Sequence, residues 1–132
     1  MTKQEIYREM EEQFGFVPLF LKALPDDTLE RDWEHIKMTQ FGESGAVPAK
    51  YKQLAGLAAA AAVKGDYAVL WHTEMAKAKG ATDAEIREVL RYVYDTVGWS
   101  VLLSGVGLDY DEFNRELHRM EEHMSSRERA SV

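Results

Sequence analysis

Apolar residues along this 132-residue chain recur three and four positions apart and nowhere alternate over the length of a strand, a pattern that predicts helices throughout. The clearest series is Ile86, Val89, Leu90, Val93, Val97 and Val101, which follows the 3.6-residue period of a helix with one buried face. Four segments open on Thr or Asp with Glu three positions later: Thr2/Glu5, Asp27/Glu30, Thr82/Glu85 and Asp109/Glu112. In that arrangement the first side chain and the Glu carboxylate satisfy each other's unpaired backbone N–H groups, so each pair marks a helix start.

Between these marks the pattern predicts a first helix ending at Gly15, a short one over 18–24, and a third from Asp27 to Phe41 carrying Leu29, Trp33 and Ile36. A loop over 43–47 leads to Pro48, which opens a fourth helix through 64. Asp66 caps a fifth helix to residue 79, the sixth follows Thr82 until Gly105 and Gly107, and the last runs from Asp109 to about Met124. The fourth helix holds five consecutive alanines ending at Ala62. Small side chains let helix axes approach, which predicts the central, most closely packed helix. Gly98 lies inside the sixth helix, where glycine costs about 1 kcal/mol relative to alanine, so it should mark a close helix contact or a kink. The chain reads as one all-α domain of six to seven helices over 1–124, with a polar tail at 125–132 that should fray.

A net charge of −7 with acidic residues in every segment gives no basic face for nucleic acid. The longest apolar run, 54–63, is about half of the roughly 20 residues a membrane span needs. The first residues carry neither an apolar signal core nor an Arg-rich presequence, so cytoplasmic residence is expected. The absence of cysteine excludes a disulfide framework, a thiolate nucleophile and sulfur-ligated metal.

Among the side chains that remain, His72 is the natural acid/base, because imidazole alone titrates near neutrality when unperturbed. It shares a face of the fifth helix with Ala68 and Met75, beside Tyr67 and Trp71. The plain alternative is a helix histidine that only hydrogen-bonds a neighbour. Tyr92, Tyr94, Asp95 and Trp99 can form an aromatic, partly polar wall for a small ligand, although aromatics at helical spacing more often form core or a subunit contact. His118 and His123 are five apart, off the shared face an i, i+4 metal pair uses, and His35 has no companion, so no metal site is expected.

From Gln53 to Ser104 an alanine-rich helix, a turn, a histidine-bearing helix, the segment Gly80-Ala81-Thr82-Asp83-Ala84-Glu85-Ile86 and a Val/Tyr/Gly helix follow in order. Together with Gly15-Phe16-Val17-Pro18, this resembles the carboxymuconolactone decarboxylase family, which includes the alkylhydroperoxidase D-like proteins. The peroxidase branch of that family carries a glutamate, a Cys-x-x-Cys pair and a histidine four residues after the second cysteine. The matching positions here are Gln53, Gly65, Ala68 and His72. Only the histidine is kept, so the chain cannot run a thiol peroxidase cycle. The decarboxylase branch, without the cysteine pair, looks closer.

The resemblance implies an AhpD-like helical fold, a homo-oligomer (trimer or hexamer) with Trp33, Trp71, Trp99, Tyr92 and Phe113 supplying contact area, and Gln53 facing His72. It also implies cofactor-free decarboxylation or proton transfer on a small carboxylate or lactone, a lyase-type activity with His72 catalytic and Gln53, Tyr67, Trp71 and Tyr94 binding substrate. Two other readings stand beside it: a non-catalytic ligand- or partner-binding homo-oligomer on the same scaffold, favoured by the changes at 53, 65 and 68, and an unrelated monomeric helical bundle.

Overall fold

The computed structural model describes residues 1–43 and 45–131. All regular structure among them is helical: α1 (Lys3–Phe14), α2 (Leu19–Lys22), α3 (Leu29–Ile36), a π-helical turn (Lys37–Phe41), α4 (Ala49–Ala62), α5 (Asp66–Ala78), α6 (Asp83–Val106) and α7 (Tyr110–Ala130). Ser44, within the expected 43–47 loop, and Val132, the last residue of the expected tail, lie outside the described residues. Contacts divide the chain into two compact units, 1–90 and 91–132, and the division falls within the stretch 1–124 that the pattern treats as one domain.

In the first unit, two of the expected reciprocal caps form in full. Thr2 Oγ1 accepts from the Glu5 N–H at 3.2 Å and Glu5 accepts from the Thr2 N–H at 2.7 Å. Thr82 and Glu85 do the same at 3.1 and 3.0 Å. Glu85 also pairs with Lys50 of α4 at 2.7 Å, tying the start of α6 to that helix. The Asp27/Glu30 box does not form. Thr28 is the N-cap of α3 and donates its hydroxyl to Asp32 at 2.7 Å, while Glu30 pairs with the Met1 ammonium. Asp66 is likewise the first residue of α5 and Gly65 its cap.

Ile6 and Met10 of α1, Leu21 of α2, and Leu29 and Trp33 of α3 close one apolar cluster with Val17. Trp33 is 1% exposed, which corrects its expected place at a subunit contact. Its indole N–H finds Glu9 at 2.8 Å, so the ring enters the core with its polar atom satisfied. A second cluster joins Leu57 of α4, Ala76 of α5, Ala81 and Ile86. The alanine-rich face of α4 packs mainly against α5, as small side chains favour, while Ala55, Ala59 and Ala62 stay exposed.

In the second unit, α6 runs through Gly105, and Gly107, at φ 65°, alone makes the break. Within this unit, a Cβ placed on Gly98 would meet nothing within 4 Å beyond its chain neighbours and the backbone of its own helix. Asp109 caps α7 by accepting from the Glu112 N–H at 2.8 Å. The helix continues past the expected end at Met124 to Ala130, as good helix formers such as Arg127, Glu128, Arg129 and Ala130 allow. Phe113, Leu117, Met120 and Met124 fall on one face of α7, and all are exposed. No helix among the described residues is long and apolar enough to cross a membrane.

Candidate functional site

His72 lies on α5 with its ring flat against α4, and the contact is made possible by Gly56. An ideal Cβ at that position would stand 2.5, 2.6 and 2.7 Å from Cε1, Nδ1 and Nε2 of the imidazole, distances no real methyl group keeps. Gln53 is one turn earlier on the same face of α4. Its Oε1 is 2.8 Å from His72 Nδ1, so the two groups that the resemblance places opposite one another are in hydrogen-bond contact. Gln53 is 2% exposed. Such a buried amide needs partners at both ends, and the second is Gln40, whose Oε1 accepts from Gln53 Nε2 at 3.1 Å.

The same Gln40 Oε1 accepts from the indole Nε1 of Trp71 at 3.3 Å. Gln40 arrives there because α3 gives way to the π-helical turn at 37–41; the wider turn changes the direction in which successive side chains leave the backbone, and such turns often occur at functional sites. Its neighbour Phe41 packs edge-to-face on Trp71, with centroids 6.3 Å apart, and Phe20 of α2 does so from another side at 5.5 Å. Phe41 also meets Phe14, which meets Trp33. A run of aromatic rings therefore anchors Trp71 to the first core cluster.

Beside this hydrogen-bonded row is a recess of about 550 Å³ lined by Phe20, Ile36, Gln40, Tyr67, Ala68, Leu70, Trp71, His72 and Glu74, within the size range of small-molecule sites. Its wall is mostly apolar, Tyr67 stands exposed at its edge, and Glu74 is the one charged residue among the described lining residues. Removal from water disfavours the charged imidazole and holds the His72 pKa below the ordinary 6.5, so at neutral pH the ring is uncharged. No group of His, Asp and Glu among the described residues gathers as a metal site would require.

Of the expected site residues, His72, Tyr67 and Trp71 line the recess and Gln53 supports it from behind. Tyr94 belongs to the second unit, where it packs under the Arg91 guanidinium at 5.0 Å. Gln40, Gly56 and Glu74 have no place in the sequence-based set. For Gly56 a signal existed: a glycine among alanines in a helix interior costs stability for no local gain, the argument that the sequence pattern attaches to Gly98.

The model of the carboxymuconolactone decarboxylase family matches residues 28–108, which include every residue of this row. The fold is similar to the crystal structure of the alkylhydroperoxidase AhpD core from Rhodospirillum rubrum, with a TM-score of 0.72 and 25% sequence identity over 83% of this chain and 82% of that one. No curated protein matches the chain significantly.

Proposed function

The chain belongs to the carboxymuconolactone decarboxylase family, and from that premise we propose that it performs cofactor-free proton transfer on a small lactone or related uncharged carbonyl compound, with His72 as acid/base. The observation that supports this best is a neutral imidazole, held at one nitrogen by a buried amide and open along an apolar recess. The base removes a proton from the carbon beside the carbonyl, leaving an enolate and an imidazolium. The imidazolium then returns the proton to the same or a conjugated carbon, so nothing is consumed. Of the two reactions open from the sequence, proton transfer is favoured over decarboxylation. A substrate carboxylate would lose water against a mostly apolar wall with no cation among the described lining residues, and Glu74 is already paired with Lys77 at 3.8 Å. The thiol peroxidase route is closed, since the chain has no cysteine.

The test is incubation in D₂O with a panel of small lactones that includes α-angelica lactone, following deuterium uptake and double-bond migration by NMR. Uptake should exceed that in buffer, and its rate should hold as pH falls past 6.5, declining only below, because burial keeps the base unprotonated there. Absence of uptake for every lactone would overturn the reading. Binding without uptake would favour instead the non-catalytic module, to which the non-ionising Gln53 points.

The exposed apolar stripe of α7 and the exposed Trp99, Val101 and Leu102 of α6 support self-association, as a trimer or hexamer, covering these faces. Light scattering should give three or six times the chain mass, and Leu117→Glu combined with Met120→Glu should reduce it to that of one chain. A wild-type monomer at micromolar concentration would exclude this.

A further inference from the structure

We infer that the Trp71 indole N–H, acting through Gln40 and Gln53, decides which nitrogen of His72 is basic, and that the recess therefore selects uncharged ligands that offer Nε2 a proton or a hydrogen bond. Carboxamides and imidazoles can each be turned over, so three such groups in a row can be polarised in either direction. An indole cannot, because its N–H only donates. Trp71 Nε1 is 3.3 Å from one atom of the Gln40 amide, which must therefore be the oxygen. That same oxygen is 3.1 Å from the Gln53 amide, which must present its NH₂ there. The other end of Gln53 is then its oxygen, and at 2.8 Å it requires Nδ1 of His72 to carry a proton. In the neutral ring the remaining lone pair is on Nε2.

Nε2 has no hydrogen bond among the described residues, and no side-chain polar atom among them is both sealed from solvent and unpartnered, so Nε2 keeps contact with solvent. The resting recess thus presents an acceptor. A phenol, an enol or an acidic C–H complements it, whereas an ether or an anion meets a lone pair and a mostly apolar wall. Trp71 is in this sense a positioning residue: its nitrogen is separated from the imidazole by two amides, and it acts only through their orientation.

The polarity is a property of the unliganded protein, and only its consequence for ligands rests on His72 being the acid/base. Long-range ¹H–¹⁵N correlation of the His72 ring, at a pH above its titration, shows which nitrogen is protonated. The ring is identified by the signals missing from His72→Ala. Wild type should show a pyrrole-type Nδ1 and a pyridine-type Nε2. Gln40→Glu, whose oxygens accept from both neighbours, should keep that pattern. Trp71→Phe retains the aromatic packing without the donor, and Gln40→Leu breaks the row; both should move the two nitrogens towards averaged positions. p-Cresol should shift the wild-type Nε2 signal, and its methyl ether, of the same shape without the donor, should not. A protonated Nε2 in wild type, an unchanged pattern in Trp71→Phe, or equal shifts from the two ligands would overturn the inference. A correct tautomer with no lactone exchange would leave the polarity standing and remove the proposed reaction; exchange with the opposite tautomer would do the reverse.

Discussion

Alanine at position 56 should remove as much activity as alanine at position 72. The added methyl group of Gly56→Ala would lie 2.5–2.7 Å from three atoms of the imidazole, and the ring must swing away, breaking its 2.8 Å contact with Gln53. Loss of a positioned acid/base typically lowers a rate by about 10²–10⁴-fold, and lactone exchange should fall by that range in both variants. Stability separates the causes. In the wild-type background the methyl overpacks the helix contact, at a cost of about 1–3 kcal/mol. In His72→Ala the obstacle is gone, and the helix propensity of alanine over glycine should make the same substitution stabilising by about 1 kcal/mol. Urea unfolding of the four proteins in the cycle measures the coupling. An unchanged sign, or full activity in Gly56→Ala, would mean that the ring does not rest on Gly56.

The row of residues that holds His72 also shows what a sequence can and cannot disclose. Thr2/Glu5 and Thr82/Glu85 were legible because a capping box is local, with both partners inside one turn. The all-α class follows from periodicity, and the Gln53–His72 pairing was accessible only through family resemblance, since the two residues sit on different helices. Gln40 was not legible. It reaches the site through a π-helical turn between α3 and the loop before α4, and the stretch Lys37-Met38-Thr39-Gln40-Phe41 carries no residue type that demands such a turn. Nor does the apolar pattern say which surface a large ring meets. Trp33 and Trp99 both occupy helical positions, yet Trp33 closes on Glu9 and the first core cluster while Trp99 is left 60% exposed. The difference lies in whether another segment of the same chain arrives to cover the ring. The Asp27/Glu30 pair shows the converse error: the spacing is right, but α3 begins at Leu29 with Thr28 as its N-cap residue, and Glu30 is drawn to the Met1 ammonium instead.

Restoring a carboxylate at position 53 should reverse how the protein responds to pH. In the wild type, burial lowers the His72 pKa with no opposing charge beside it. The folded state therefore binds this proton less readily than the unfolded chain, and stability rises with pH through the window below 6.5 and is complete above it. In Gln53→Glu one carboxylate oxygen stands where the amide oxygen is now, 2.8 Å from Nδ1, and favours the imidazolium, while the other takes the place of Nε2 and turns the Gln40 amide over to donate to it. An opposite charge at such range moves a pKa by about 1–3, so the folded-state value should rise above 6.5. The histidine's contribution is then fully present below the unfolded value and lost as pH rises through the window above it, with the proton belonging jointly to the introduced carboxylate and His72. Carboxylates whose pKa is lowered by their partners, among them Glu5, Glu9, Asp32 and Glu85, change stability only in more acidic solution, so they do not obscure this window. Thermal unfolding between pH 5 and pH 8, below the range in which the Met1 ammonium, raised above 8.0 by its hydrogen bond to Glu30, loses its own contribution, should give slopes of opposite sign for the two proteins. The acid limb of lactone exchange should move upward with the pKa, and below the new value the free base should fall about tenfold for each further drop of one in pH. If the slopes agree in sign, the amide and imidazole are not in contact in solution, and the support assigned to Gln53 fails with it.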